Sequence, residues 1–271
     1  MNLTLIPSPF ALDQFRQSIG LAPETLLAAG LKATLENDGH AVTVSERTTE
    51  LGPGTVLERI GQHLAQLADR VAAAHQNQSL PVILGGDCLV SIGVVAGLRR
   101  ALNSDFGITW FDAHGDFNTP ETTLSGYLGG MPLACVCGRG LETLRTAVQL
   151  DQPMNESNVV MVGIRDLDPP EKALIDSTPI RIYSPTTAPQ YIADVHPTYL
   201  HFDIDAMDPS LAPGVNYLTP NGLSLAAALQ AARQVTPHLA AFSLTAVDPT
   251  RDREGRTVQT TLELIRGILK P

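Results

Sequence analysis

The sequence predicts an α/β fold in three layers, with helices on both faces of a mostly parallel sheet of about eight strands. Short apolar runs alternate with amphipathic helical patterns throughout the 271 residues, which is typical of parallel strands joined by right-handed crossovers. In addition, two of the apolar runs end in acidic clusters followed by long segments without periodicity. Such segments are typical of binding loops at the carboxyl ends of strands.

Eight short apolar runs are the predicted strands. They are residues 3–6, 41–44, 82–84, 107–111, 159–163, 180–183, 199–204 and 240–246. Helical patterns cover residues 24–37, 56–75 and 90–102, and further helices are predicted after Asp168, Thr186, Ser224 and Thr257. The longest pattern, at 56–75, has one apolar stripe at helical spacing, formed by Leu57, Ile60, Leu64, Leu67 and Val71.

Length and composition indicate one large domain spanning residues 1–271. Hydrophobic residues are 44% of the chain and charged residues 17%, as in folded proteins without disordered tails. A formal charge of −10 argues against nucleic acid and anionic membranes as partners. The first ten residues lack the basic region of a signal peptide, and no run is long enough to span a membrane. The odd number of cysteines, Cys88, Cys135 and Cys137, gives no disulfide framework and indicates the cytoplasm.

Two acidic clusters predict a metal site. In the segment TWFDAHGDF, an apolar run leads into Asp112, His114 and Asp116, whose alternate spacing aims them the same way if the chain stays extended. In YLHFDIDAMD, a second run ends in Asp203 and Asp205. One cluster alone is equally well explained as a turn that caps backbone amides. Two clusters at the ends of parallel strands can share one crevice, where a cation would relieve the repulsion between carboxylates.

Four sequence blocks carry a resemblance to a known family. They are GGDCLVSIG from Gly85, FDAHGDFNTP from Phe111, FDIDAMDPSLAPG from Phe202 and the weaker SLTAVDP from Ser243. With these blocks the chain resembles the ureohydrolase superfamily, the manganese enzymes that include arginase, agmatinase and formimidoylglutamase. The resemblance implies a single arginase-like domain over most of the chain. Within the family, DFNTPETTLSGYLGGM is most similar to the branch that hydrolyses N-hydroxyarginine to hydroxyurea and ornithine.

The resemblance implies two manganese ions per chain. Asp112 and Asp203 would bridge the ions, His114 and Asp205 would complete one of them, and Asp116 would serve the other. The family's histidine ligand to that second ion is replaced here by Cys88. Because a thiolate is softer than manganese prefers, this site would either bind its metal weakly or prefer another ion such as zinc or iron. Alternatively, Cys88 is a buried helix-start residue that binds nothing.

The same resemblance implies the chemistry and the substrate. A hydroxide bridging the metals would attack a guanidine or amidine carbon, with Asp112 and Asp116 as catalytic residues and Asp116 moving the proton. Residues matching the family's binding positions for an α-amino acid head group are Asn118 and Ser125 for its carboxylate and Asp168 and Glu171 for its ammonium. Alone, Asp168 would be interpreted as a helix cap. Tyr127 replaces an asparagine of the family and is a further candidate for contact with the substrate.

Three departures bear on the substrate. Gly129 stands where the family has a histidine that aids proton transfer, and Ala246 where it has the glutamate that pairs with the guanidinium. Residues 214–220 do not match the family pattern either. An N-hydroxyguanidine is less basic than a guanidine and could bind nearly neutral, without a carboxylate. Glu121 or Asp248 could otherwise supply the missing charge from another direction.

Several alternatives remain open at this level. Agmatine lacks the carboxylate that Asn118 and Ser125 would bind, and formimidoylglutamate carries an extra one for which Arg139 and Arg165 are the candidate receivers. A hypothesis of a different class is that the protein is a non-catalytic paralogue that has lost one metal and serves as a binding or regulatory subunit. The expected partner is a small guanidino or amidino molecule, and a homo-oligomer is expected from the resemblance only. Of the remaining histidines, only His201 directly precedes an acidic block; the others are interpreted as surface or core residues.

Overall fold

The computed structural model describes residues 1–46, 51–102, 104–183 and 197–270. Its strands in chain order are β1 Asn2–Ser8, β2 Phe10–Ala11, β3 Gln14–Phe15, β4 Ala41–Val44, β5 Leu80–Gly85, β6 Gly107–Phe111, β7 Val159–Val162, β8 Arg181–Tyr183, β9 Thr198–Asp203 and β10 Leu239–Thr245. Its α-helices are α1 Ala22–Ala28, α2 Leu31–Asn37, α3 Val56–Gln76, α4 Val90–Ala101, α5 Pro132–Val136, α6 Glu142–Ala147, α7 Pro169–Asp176, α8 Leu225–Ala232 and α9 Arg256–Leu269.

Eight of these strands form one sheet in the order β4, β1, β5, β10, β9, β6, β7, β8, and each neighbouring pair is parallel. They are the eight strands predicted from the sequence, two of them with the predicted bounds. One hydrophobic core joins the sheet to α3, α4, α5 and α6, and a second joins its other face to α1, α2, α8 and α9. The predicted three-layer α/β/α fold is confirmed.

Some local predictions were wrong. The single helix expected at 24–37 is two helices, α1 and α2, because Gly30 between them takes a left-handed conformation with φ of 90°. The hairpin of β2 and β3 and the short helices α5 and α6 were not predicted, since each is too short for a periodic pattern. The helix expected after Thr186 falls outside the described residues.

The longest helix, α3, is fixed at its start and along its packing face. Thr55 and Glu58 form a capping box, in which each side chain accepts from the other residue's backbone amide. Along the helix, glycines of α4 allow a close approach: a Cβ on Gly93 would lie 2.7 Å from the carbonyl oxygen of Leu64. This tight pair braces the helix that follows the GGDC block. Across the described ranges, no helix has both the length and the apolarity needed to cross a membrane.

The sheet order decides where the sequence blocks meet. Strands β5, β10, β9 and β6 are neighbours at its centre, and the blocks follow or end each of them. Phe111 lies opposite Phe202 in the register of β6 and β9, while Thr245 lies opposite Asp203 in that of β10 and β9. Because all four strands are parallel, their carboxyl ends share one edge, and the acidic clusters converge there.

Candidate metal centre and substrate pocket

The first acidic cluster converges through a turn. β6 ends at Phe111, and the amide of His114 then donates to Oδ1 of Asp112 over 2.7 Å. Asp116 has a φ of 48°, and its carbonyl oxygen accepts from the amide of Leu133 at the start of α5. The expectation that alternate residues converge because the chain stays extended is therefore wrong. Local hydrogen bonding folds the segment back, yet His114 and Asp116 still line one pocket, and Asp112 lies buried beside His114.

The second cluster is locked to the first by backbone amides. Asp203 is the last residue of β9, and its Oδ1 accepts from the amide of Asp205 over 2.8 Å. Oδ1 of Asp205 accepts from the amide of Ala113 over 3.0 Å, while Oδ2 lies 3.1 Å from Nδ1 of His114. That ring nitrogen is also 3.3 Å from Oδ1 of Asp112. Asp112, His114 and Asp205 thus present three donor atoms within 4.8 Å of one another.

Cys88 lies between β5 and α4, with 6% of its surface exposed. Its thiol donates to Oδ2 of Asp203 over 2.9 Å and lies 3.3 Å from the hydroxyl of Thr245. Burial, followed by the charges of Asp203, Asp116 and Asp112, raises the pKa of this thiol well above its usual value. A bound cation would be needed to form the thiolate at neutral pH.

His201 is a neighbour of this cluster whose role the motifs did not predict. It lies on β9 and is fully buried, stacked on Trp110 with 3.6 Å between ring centroids. One of its ring nitrogens lies within 4.8 Å of both the Cys88 sulfur and a carboxylate oxygen of Asp112. Burial lowers the pKa of His201 to about 3, so the ring is neutral. The only sequence signal was its position directly before the FDID block.

The cluster carries more negative charge than its surroundings can solvate. Burial, followed by the charge of Asp205, raises the pKa of Asp112 to about 7, and burial with neighbouring carboxylates raises those of Asp116 and Asp203 well above normal. Although burial alone would lower the pKa of His114, hydrogen bonds with Asp112 and Asp205 raise it to about 12.

Asp205 is the exception among these carboxylates. Although burial alone would raise its pKa, the hydrogen bond and charge of His114 lower it. Oδ2 of Asp116 is buried and has no hydrogen-bond partner in the described part of the chain. Unpaired carboxylate oxygens beside a thiol and an imidazole fit a divalent cation, which would relieve the repulsion and occupy the open donor atoms.

A cavity of about 300 Å³ opens onto this cluster. Its walls include most of the predicted site: Cys88, His114, Asp116, Asn118, Ser125, Tyr127, Asp168, Glu171, Asp203 and Asp205. Asp112 lies beneath the wall, with 1% of its surface exposed. Lining residues that sequence analysis did not single out are Ile19, Asp87, Gly130, Asp166, Asn216 and Tyr217. Tyr217 comes from the segment that departs from the family pattern, which was the available signal for it.

The four candidates for an amino acid head group lie in this one cavity. Asp168 occupies the N-cap position of α7, as its interpretation as a helix cap predicts, but its side chain makes no capping bond. Glu171 is 4% exposed, and its Oε1 accepts from the amide of Phe117 over 2.9 Å, which holds the loop after Asp116 in place. Oδ1 of Asn118 accepts from the hydroxyl of Thr122, which orients the amide.

Tyr127 fills the space that a side chain at position 129 would need. A Cβ built on Gly129 would lie 2.7 Å from the Tyr127 hydroxyl, closer than real contacts allow. The Tyr127 ring is 6.2 Å from that of Tyr217, which in turn lies 5.9 Å from His114. The two departures in SGYLGG, at Tyr127 and Gly129, are therefore coupled: the Tyr127 ring occupies the space that a side chain at position 129 would take.

Ala246 lines the cavity with a φ of 67°, and its amide donates to the carbonyl oxygen of Gly86. Neither Glu121 nor Asp248 is among the lining residues. Glu121 is exposed, and Asp248 accepts from Ser18 and Thr250 instead. Asp87 does line the cavity, but its two oxygens accept from the amides of Leu12 and Leu89.

Both arginines considered as receivers of an extra carboxylate are engaged elsewhere. Arg139 pairs with Glu156. Arg165 donates to the carbonyl oxygens of Gly163, Asp205, Ala206, Thr219 and Pro220. Among the described residues that line the cavity, none is lysine or arginine.

Comparisons with a family model, with known sequences and with solved structures all give similarity to arginases. The model of the arginase family matches residues 1–270. An arginase of Schizosaccharomyces pombe is 30% identical over 294 residues, covering 99% of this chain and 90% of its own. The crystal structure of Bacillus cereus arginase superposes with a TM-score of 0.88 at 28% identity, covering 100% of this chain and 98% of its own. Formimidoylglutamase of Bacillus subtilis, at 18% identity, covers 99% of this chain and 86% of its own, and its TM-score of 0.77 shows a shared fold alone.

Proposed function

The chain belongs to the arginase family of hydrolases, and on that premise we propose that it hydrolyses a guanidino amino acid, with N-hydroxy-L-arginine preferred over L-arginine. The products are ornithine and hydroxyurea from the hydroxylated substrate. The observation that carries the preference is Ala246, which leaves the cavity wall without a carboxylate where the resemblance places one. We further propose that residues 1–271 act as one domain on a small molecule.

Two divalent ions per chain fit the donor set, with Asp112, His114, Asp116, Asp203, Asp205 and Cys88 as the residues that would hold them. The unpartnered Oδ2 of Asp116 and the raised pKa values of Asp112 and Asp203 support this fit. When bound, such ions would supply Lewis-acid charge and bring the pKa of a water molecule close to neutral. The oxygen-rich donors on the His114 side suit manganese.

Hydrolysis adds water to the planar guanidino carbon and expels an amine, so a proton must reach the departing nitrogen. Asp116 is the proposed carrier of this proton, because its carboxylate lines the cavity and has one open oxygen. Gly129 provides no imidazole for this step, so the proton path differs from the one that the family resemblance implies.

The head group of the substrate is proposed to contact Asn118 and Ser125 through its carboxylate and Asp168 and Glu171 through its ammonium. All four side chains line the cavity that opens onto the metal cluster. Since no described lining residue is lysine or arginine, the carboxylate would be held by neutral donors. This arrangement favours a zwitterionic amino acid over agmatine, which lacks the carboxylate.

A protonated guanidinium buried beside Ala246 would lack an anionic partner, which costs about 3–5 kcal/mol for a buried charge. The free-energy cost of binding is smaller for an N-hydroxyguanidine, because this group is less basic and can bind in its uncharged form. The acidic residues considered as substitutes support this view, since Glu121 and Asp248 do not line the cavity and Asp87 is engaged by backbone amides.

Ornithine release from the two substrates tests the proposal directly. Protein reconstituted with manganese or zinc should show kcat/KM at least about 100-fold higher for N-hydroxyarginine than for arginine, which corresponds to the cost above. Equal values would contradict the preference. Release of glutamate and formamide from formimidoylglutamate, with no ornithine from either guanidino substrate, would replace this proposal by the formimidoyl one. A metal-loaded protein inactive on all three would support a non-catalytic paralogue.

A further inference from the structure

His201 is held in a fixed orientation beside the metal-capable cluster. Its side chain is fully buried in β9, with Trp110 stacked on one face at an interplanar angle of 18°. The ring of Tyr199 meets it edge-on, with 6.2 Å between the centroids. Trp110 also donates from Nε1 to Oδ2 of Asp112, so one indole orients both side chains. The imidazole therefore has little freedom to turn away from the cluster.

The two ring nitrogens of His201 have different surroundings. Nδ1 lies 2.9 Å from Oγ of Ser243 and 3.2 Å from the hydroxyl of Tyr199. Nε2 is buried and has no hydrogen-bond partner in the residues that the structure describes. A buried nitrogen without a partner is costly unless another group occupies it. Metal-bound histidines commonly show this pattern, with the second nitrogen donating to an oxygen.

Two other donor atoms lie close to the ring of His201. A ring nitrogen of His201, the sulfur of Cys88 and an oxygen of Asp112 all lie within 4.8 Å of one another. An ion bonded at about 2.0–2.3 Å to each of three donors keeps them within roughly 4.6 Å of one another. Because Nδ1 is already engaged by Ser243 and Tyr199, Nε2 is the nitrogen available to such an ion.

We propose that His201 is the imidazole ligand of the ion held by Cys88 and Asp112. The cluster then has two sites of different chemistry that share Asp112. One offers sulfur, nitrogen and oxygen and selects zinc or ferrous iron; the other, with His114 and Asp205, offers nitrogen and oxygen and accepts manganese. This inference rests on the metal centre of the proposed function but not on the identity of its substrate.

X-ray absorption at the zinc edge tests this assignment. Metal-free protein is loaded with one equivalent of zinc, and its spectrum should contain one sulfur and the outer-shell scattering of an imidazole. His201→Gln should lose the imidazole scattering and keep the sulfur, whereas Cys88→Ser should lose the sulfur and keep the imidazole. Imidazole scattering that persists in His201→Gln would overturn the proposal, as would a wild-type spectrum without it. In either case His201 would be at most a hydrogen-bond partner.

Zinc affinity provides a second readout, measured by competition with a chelating dye. His201→Gln should weaken zinc binding by at least 10–100-fold, the range seen when a partner of a metal ligand is lost. The matched control is His63→Gln, which removes another buried histidine, 1% exposed and stacked on Phe10 at 4.4 Å. His63→Gln should bind zinc like the wild type. Equal affinities in His201→Gln and wild type would contradict the assignment.

A variant that fails to fold must be distinguished from one that folds but does not bind metal. Circular dichroism and urea unfolding of each metal-free variant show whether it is folded, and His201→Asn replaces His201→Gln if the longer side chain is not tolerated. A wild type with the expected sulfur and imidazole shell but no hydrolysis of guanidino substrates would overturn the proposed function alone. If the protein hydrolyses guanidino substrates but its zinc spectrum shows no imidazole from His201, only the assignment of His201 as a ligand would be overturned.

Discussion

The thiol of Cys88 donates to Oδ2 of Asp203 over 2.9 Å, joining two strand ends that are 115 residues apart in the sequence. Three further acidic groups and two imidazoles, those of His114 and His201, lie around this pair. The pKa values of Cys88, Asp203 and Asp116 are raised, so without a bound cation these groups retain protons that reduce the repulsion within the cluster. Metal binding, protonation and stability of the fold are therefore linked in this protein.

Metal-free protein should lose stability as the pH rises from 6.5 to 8.5. A carboxyl whose folded pKa is raised, such as Asp112 at about 7, binds more protons folded than unfolded, so its contribution is lost as pH rises through that value. His114, raised to about 12, acts in the same direction above its unfolded pKa. Asp205, with a lowered pKa, is ionised in both states across this window and adds no slope.

Urea unfolding of chelator-treated protein at three pH values across this window measures the effect. The slope should approach about 1.4 kcal/mol per pH unit for each proton released. Asp112→Asn should show a smaller slope, and added zinc or manganese should reverse its sign. A free energy of unfolding that does not change with pH in the metal-free wild type would contradict the prediction.

Asp116→Asn should lower kcat for N-hydroxyarginine by about 10²–10⁴-fold, because the amide cannot accept and return a proton. Steady-state assays with saturating metal measure this, with metal content checked in parallel. Asp166→Asn is the matched control: it makes the same substitution in the same cavity, on a side chain that is 64% exposed and 3.9 Å from His114. A similar kcat in the two variants would exclude Asp116 as the proton carrier.

Ala246→Glu should shift the substrate preference toward arginine. The new carboxylate would pair with a guanidinium, so the ratio of kcat/KM for N-hydroxyarginine over arginine should fall by at least about 10-fold. Ala246→Gln, of equal size but uncharged, should leave the ratio close to that of the wild type. The φ of 67° at this position makes a thermal melt of both variants a necessary control. An unchanged ratio in Ala246→Glu would rule out a role for charge here.

Arg165→Lys should reduce the free energy of unfolding by at least about 2 kcal/mol. Its guanidinium donates to carbonyl oxygens on the loop that follows Asp205, and an ammonium cannot reach them together. Urea unfolding of the metal-free proteins measures the loss. Arg256→Lys is the control, because that side chain is 51% exposed and should change stability by less than about 0.5 kcal/mol. Equal losses would contradict this role for Arg165.

Much of the fold and of the candidate site followed from the sequence alone. The eight sheet strands are short runs of three to seven residues, and their pattern depends on neighbours along the chain. The carboxylates at the ends of β6 and β9 were predicted because they follow directly on those runs, whereas Cys88 and the head-group residues of the cavity came only from the resemblance to a family. The order of short motifs along one chain is local information, and so it can be read without coordinates.

The tertiary structure decided what depends on distance between segments. Only the sheet order β5, β10, β9, β6 brings donor atoms of Cys88, Asp112 and His201 within 4.8 Å of one another, since these residues lie on or directly after three different strands. Likewise, only packing showed that Tyr127 fills the space above Gly129. Burial of a side chain and the direction of its open nitrogen arise from contacts between residues far apart in sequence, and no periodicity encodes them.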